Sequence, residues 1–196
     1  MSKNKKMSAA IFIALFAALI SVGSFIHIPM PSGVPITVQD MLARLAGILL
    51  GSVLGGAAVL LFLLIGFIGF PVFTGKAGIA VLLNGPTGGF LVGYFVAAVL
   101  CGAMIRWFYP TNLADDSDEI RRRKNQIQWL VLIITAFAGT IAIFAFGVVR
   151  FLQVTNMSLA EALPVVVLPF IPGAIIKTIM IAILAKRFIP VMKNYL

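Results

Sequence analysis

Acidic side chains are few: six Asp and Glu stand against fifteen Lys and Arg in 196 residues, and histidine and cysteine occur once each. These shortages exclude several kinds of chemistry. His27 has no acid or cysteine cluster near it, so it makes no metal site and lacks the partners of a catalytic triad. Paired carboxylates and an activated nucleophile are also missing, so an enzyme is not expected. Cys101, in "VAAVLCGAMI", has no second cysteine for a disulfide and reads as a small packing residue. No P-loop is present either. The nearest match, "GFPVFTGKA" from Gly69, has one residue too many between its glycines and Ala77 where Ser or Thr would hold magnesium. No nucleotide, cofactor or metal is therefore expected.

Apolar residues fill the space left by charge, with 61% of the chain hydrophobic, 11% charged and a mean hydropathy of +1.11. Such a chain is an integral membrane protein, and at ~20 apolar residues per spanning helix it has room for about six spans and no soluble catalytic domain. The expected architecture is an all-α bundle of six transmembrane helices forming a single domain over residues 1–196. The basic residues sit at the ends of apolar runs, which points to membrane orientation and not to nucleic acid. "MSKNKK" followed by "MSAAIFIALFAALISVGSF" is too long for a signal peptide and lacks an evident small-residue cleavage site, so it reads as an uncleaved first helix.

Proline and glycine mark the breaks. Helix one runs from about Ser8 to His27 and stops at "HIPMPSGVP". Helix two begins at Thr37, where "TVQD" resembles a capping box with Asp40 in the acid position, and ends near Leu50 before Gly51 and Ser52. Helix three takes Val53 to about Ile68. "GFPVFTGKAGIAVLLNGPTGG" is too broken for one helix, though Ala77 to Leu83 has room for a turn or two. Helices four, five and six cover about Phe90 to Phe108, Ile127 to Phe151 and Pro172 to Phe188. "YPTNLADDSDEIRRRKNQ" reads as soluble and "QVTNMSLAEAL" as a polar link.

With both termini cytoplasmic, the inner side carries Lys3, Lys5, Lys6, Arg106, Arg121, Arg122, Arg123, Lys124, Lys186, Arg187 and Lys193, and the outer loops only Lys76 and Arg150. The three connections rich in Pro, Gly, Asn and Thr then fall outside. Irregular backbone at that depth is tolerated where it lines a cavity, so an outward-facing pocket is expected in a multi-pass plasma-membrane protein.

Arg44 and Lys177 are left inside the apolar region. Asp40 and Arg44, four apart with the acid first, are in the favourable order for a helical ion pair, which reads as structural. Gln39 points differently and can offer an amide donor and acceptor to a pocket. Asn84, in "NGPTGGF", belongs either to a tight surface turn or to a loop whose glycines let backbone approach a small polar ligand. Lys177 lies about 7 to 8 Å into helix six counted from Pro172. An ionisable residue at that depth reads as functional, attracting carboxylate or carbonyl oxygens with the help of the helix N-terminus. No acid occurs in its own run, "PFIPGAIIKTIMIAIL". Ala10, Ala14 and Ala18 recur every four residues beside Ala9 and Ala17, a stripe suited to close packing within the bundle or against a partner.

In "PSGVPITVQDMLARLAGILLG", "GFPVFTGKAGIAVLLNGPTGGFLVGY" and "PFIPGAIIK", occurring in that order, the chain resembles the BioY family, the biotin-specific substrate-capture (S) components of energy-coupling factor vitamin transporters. The resemblance covers nearly the whole length. It implies a six-helix bundle that captures biotin from outside, without enzymatic turnover, in company with a transmembrane coupling protein and two ATPase subunits. On that reading Gln39, Asn84, Thr87 and Lys177 are polar contacts, Phe73 and Tyr94 wall the bicyclic ring, and the Ala10, Ala14, Ala18 stripe docks the partner. One position departs from the family pattern: the aspartate usual three residues before the lysine is Ala174 here. Asp and Lys at that spacing would face the same way and both reach a ligand. Without the acid, the N–H donors of biotin's ureido ring need Asn84, Gln39 or a backbone carbonyl, and a weakened site is expected. The alternative is a stand-alone secondary transporter of a small vitamin, whose intramembrane acid would be Asp40 or Glu161.

Overall fold

One residue separates the second and third predicted helices. The helical stretch Gln39–Phe67, here α2, is interrupted at Gly51, whose φ +83° and ψ 174° are non-helical and favour glycine. A Cβ placed on Gly55 would lie 2.6 Å from the Cα of Gly47, eight positions earlier. In a straight helix those positions are about 12 Å apart. The chain therefore doubles back at Gly51, and α2 is a hairpin of two arms, residues 39–50 and 52–67.

The computed structural model describes residues 3–110 and 118–195. Its other helices are α1 (Lys3–Val22), α3 (Ile79–Asn84), α4 (Gly88–Phe108), α5 (Asp118–Thr155), α6 (Leu159–Val166) and α7 (Ile171–Met192). Five helices are long and apolar enough to cross a membrane, one of them the folded α2, and the molecule is an all-α bundle. Between α1 and α2 two short strands, β1 (His27–Ile28) and β2 (Ile36–Thr37), pair antiparallel with His27 opposite Thr37. α4 is central, packed against α2 on one side and α5 on the other.

Several boundaries differ from expectation. α1 ends at Val22 and not at His27, because the backbone turns at Ser24 and the following residues pair with β2. The N-cap of α2 is Val38, with no side-chain cap bond, so Thr37 and Asp40 form no capping box. A true capping box occurs elsewhere, in the stretch read as a polar link: Ser158 accepts from the Glu161 amide, and Glu161 reaches back to the Ser158 amide at 2.8 Å. α5 is 38 residues long and starts at Asp118, so the charged run expected to be soluble supplies its first turns. Acids at its start suit the helix dipole, and the Arg, Lys and Gln that follow are good helix formers. The earlier part of that segment, residues 111–117, lies outside the described residues.

Both termini come to one end of the bundle. Phe12 meets Tyr195 edge to face with ring centroids 6.1 Å apart, and Lys186 of α7 donates to the Asn125 carbonyl of α5 at 3.2 Å. Gln128 donates to the Pro110 carbonyl at 2.8 Å, joining the start of α5 to the chain leaving α4. The loops carrying β1, β2 and α3 lie at the other end. Apolar side chains cover the outer surface as well as the core; on α5, Leu130, Ile133, Phe137 and Ile141 all face outward, as lipid contact requires.

Candidate functional site

The loop end encloses a cavity of about 240 Å³. Pro29, Met30, Gly33 and Val34 line it from the β1–β2 connection, and Phe73, Thr74 and Lys76 from the chain after α2. The second group forms a tight turn. Phe73 and Lys76 exchange backbone hydrogen bonds of 3.0 and 3.1 Å, with Thr74 and Gly75 at φ +54° and +78° between them. Aromatic and aliphatic walls come from Phe90, Leu91 and Tyr94 of α4, Ile143 and Phe144 of α5, and Phe170. Gln39, Asp40, Thr140, Ala174 and Lys177 also line the cavity.

Lys177 has its acid after all, on a different helix. Its Nζ donates to Asp40 Oδ1 at 2.7 Å, and Arg44 Nη2 donates to Asp40 Oδ2 at 2.8 Å. The side chains of Asp40 and Lys177 are 17% and 16% exposed, whereas that of Arg44 is wholly buried. Every guanidinium nitrogen is engaged: besides the Nη2 bond, Nε donates to the Asp40 carbonyl at 3.0 Å, and Nη1 to the Ala136 carbonyl at 3.1 Å and to the Thr140 hydroxyl. A buried cation is tolerable only with such pairing and hydrogen bonding. Arg44 thus anchors Asp40 to α5 from behind, and Lys177 faces the same carboxylate from the cavity. Two cations share one acid, a net +1 that suits an anionic or carbonyl-bearing ligand.

Gln39 is also committed. It is 1% exposed, and its Nε2 donates to the Ile20 carbonyl at 3.2 Å and the Val72 carbonyl at 2.9 Å, tying α1 and the roof loop to α2. The amide donor expected for a ligand is therefore used by backbone. Oε1 accepts no hydrogen bond among the described residues, so Gln39 offers the cavity an acceptor only.

Of the other expected contacts, Thr87, Tyr94, Phe73 and Ala174 line the cavity and Asn84 does not. Asn84 ends α3 as an exposed residue, whereas Thr87 starts α4 and turns inward. Phe73 is 4% exposed, and much of its ring is occupied by protein, edge to face with Phe62 and Phe67 at 5.5 and 6.0 Å and seated against Gly66, where a Cβ would collide with it. Ala10, Ala14 and Ala18 are exposed on α1 while Ala9 and Ala17 beside them are buried, so among the described residues the stripe is left uncovered. His27 lines the cavity, with Nδ1 2.9 Å from the Ser24 carbonyl.

Along the sequence Asp40 reads as the partner of Arg44 or as the acid of a secondary transporter, and nothing there anticipates Thr140 or the walls Phe90, Phe144 and Phe170. A charge count gives the missing signal, since Arg44 and Lys177 are two cations in the apolar region and Asp40 is the acid near one of them. The model of the BioY family matches residues 1–194. The chain belongs to the BioY family. Among similar BioY proteins, the biotin transporter BioY of Rhodobacter capsulatus is 34% identical over 183 residues, covering 89% of each chain. That of Rhizobium etli is 32% identical over 192 residues, covering 95% of this chain and 93% of its own. A crystal structure at 2.1 Å, described as the S-component for biotin from an ECF-type ABC transporter, superposes with a TM-score of 0.79 at 30% identity, covering 95% of this chain and 93% of that one. This BioY chain is accordingly a multi-pass protein of the plasma membrane.

Proposed function

We propose that this BioY chain captures biotin from outside the cell, as the substrate-binding subunit of an ATP-driven energy-coupling factor transporter, and performs no chemistry on it. The small aromatic-walled cavity with charged groups at its base carries this reading, in a chain whose relatives are named biotin transporters. Biotin brings an apolar bicycle, a ureido ring with two N–H donors and a carbonyl, and a carboxylate tail. Phe90, Tyr94, Phe144 and Phe170 suit the bicycle, with Phe73 closing the roof. Lys177 donates to a ligand oxygen, and Thr87 and Gln39 Oε1 complete the polar contacts. Asn84 lies outside the lining and takes no part. Ala174 leaves that wall of the cavity without an acceptor side chain.

The cation-rich end with both termini faces the cytoplasm, so the cavity opens outward. The exposed Ala10, Ala14 and Ala18 stripe docks a transmembrane coupling protein, and two ATPase subunits supply the nucleotide chemistry for which the chain has no P-loop. A stand-alone secondary transporter fits less well: Asp40 is held by two cations, and Glu161 is engaged in capping α6.

Titration of the purified chain with biotin, desthiobiotin and an unrelated vitamin, without ATP, tests the capture role. Saturable biotin binding is expected, and its absence would refute the reading. In vesicles, uptake by the chain alone down an ion gradient would overturn the coupled part.

A further inference from the structure

We propose that Asp40 is itself a ligand-contacting residue, the carboxylate that accepts the N–H donors of the bound molecule. This assignment rests on the biotin reading and deepens it. Among the described lining residues Asp40 is the one carboxylate, whereas Lys76 and Lys177 only donate. A carboxylate offers about four lone-pair sites. Arg44 and Lys177 occupy one on each oxygen, and no other donor reaches the side chain among the described residues. The unoccupied capacity belongs to a group that is 17% exposed in a lining position.

Its position is fixed before any ligand arrives. Arg44, sealed in the core, grips the Asp40 carbonyl as well as the carboxylate and is itself bonded to α5. Binding an N–H at the remaining lone pairs therefore needs no rearrangement of the acid. Gln39 Oε1, on the neighbouring residue, is a second acceptor for a planar group with more than one N–H donor, as a cyclic urea has. Asp40 is thus more than the counter-ion of Lys177. A counter-ion would affect all ligands alike, whereas a contacting acceptor discriminates by N–H.

The test uses biotin and its cyclic carbamate isostere, in which a ring oxygen replaces one ureido N–H. Asp40→Asn is combined with Arg44→Met so that the fully buried Arg44 is not stranded, with Lys177 left facing the cavity, and Asp40→Glu, which keeps the charge but moves the oxygens, is the second variant. Size-exclusion profile and thermal unfolding establish that each is folded. The unaltered protein is expected to prefer biotin over the carbamate by about 10- to 100-fold, the range for a hydrogen bond to a charged group. In both variants biotin binding should weaken by a similar factor and the preference should shrink toward unity. Biotin binding with the preference intact in both variants would overturn the assignment of Asp40 alone. An unaltered chain that binds no biotin would overturn the biotin reading, and this assignment with it.

Discussion

The two ends of the bundle use the same cationic residue types in opposite ways. At the end that gathers the termini, Lys186 is only partly buried, its Nζ lying 5.0 Å from the Trp129 ring centroid and bonded to Asn125 near the surface. At the loop end, Arg44 and Lys177 converge on one carboxylate away from bulk water. Water screens the first arrangement and makes each contact weak. The second lies in a setting of low dielectric, where an unpaired charge is costly and each partner depends on the others. Position relative to water, more than residue type, separates a surface cation from a cation that builds a site.

The largest expected effect breaks the loop-end network at its root. Arg44→Leu removes the donor to Thr140 Oγ1 and leaves Asp40 with half its partners, while the Ala136 carbonyl keeps its bond from the Thr140 hydroxyl; thermal and denaturant unfolding in detergent should register a loss of about 3 to 5 kcal/mol. Next, Lys177→Ala should weaken biotin binding by about 1.5 to 3 kcal/mol in a calorimetric titration, and unchanged affinity would reduce the lysine to a structural counter-ion. Ala174→Asp offers a second acceptor on the same wall and should tighten binding by about 1.5 kcal/mol, the lower end of the range because Lys177 already has an acid. Gly66→Ala pushes a methyl into the Phe73 ring and should cost about 1 to 3 kcal/mol of stability, loosening the roof and speeding biotin release in a stopped-flow chase. Lys186→Ala, at the other end, should change stability by no more than about 0.5 to 1 kcal/mol and biotin affinity not at all. A large effect there would erase the contrast between the two ends.

What could be read along the chain was local. Gly51 and Ser52 announced a reversal because a positive φ leaves a glycine signature, and Lys177 stood out because charge is rare in an apolar run. Its pairing with Asp40 spans 137 positions, and no local pattern encodes it. The start of α5 was missed because charge resembles loop in composition, although i to i−4 hydrogen bonding continues readily into water. Asn84 and Thr87 look equivalent in "NGPTGGF", yet one closes α3 and the other opens α4, and the intervening turn sends them to opposite sides. The family motifs carried the fold, but they could not reveal that Gln39 spends its amide on the backbone of Ile20 and Val72.

The hairpin at Gly51 also bears on the surrounding lipid. The arm over residues 39–50 is only about 18 Å long, against a hydrocarbon core of ~30 Å. Its turn abuts Gly102 of α4, and α4 continues to Phe108, about 9 Å further on. The bundle is therefore stepped on that side, with a seam where the apolar thickness is set by the hairpin and not by its taller neighbour. A span this short favours shortened or tilted lipids beside it, at fractions of a kcal/mol per Å of mismatch, and exposed Arg106 in the last turn of α4 is a cation at the level beyond the hairpin.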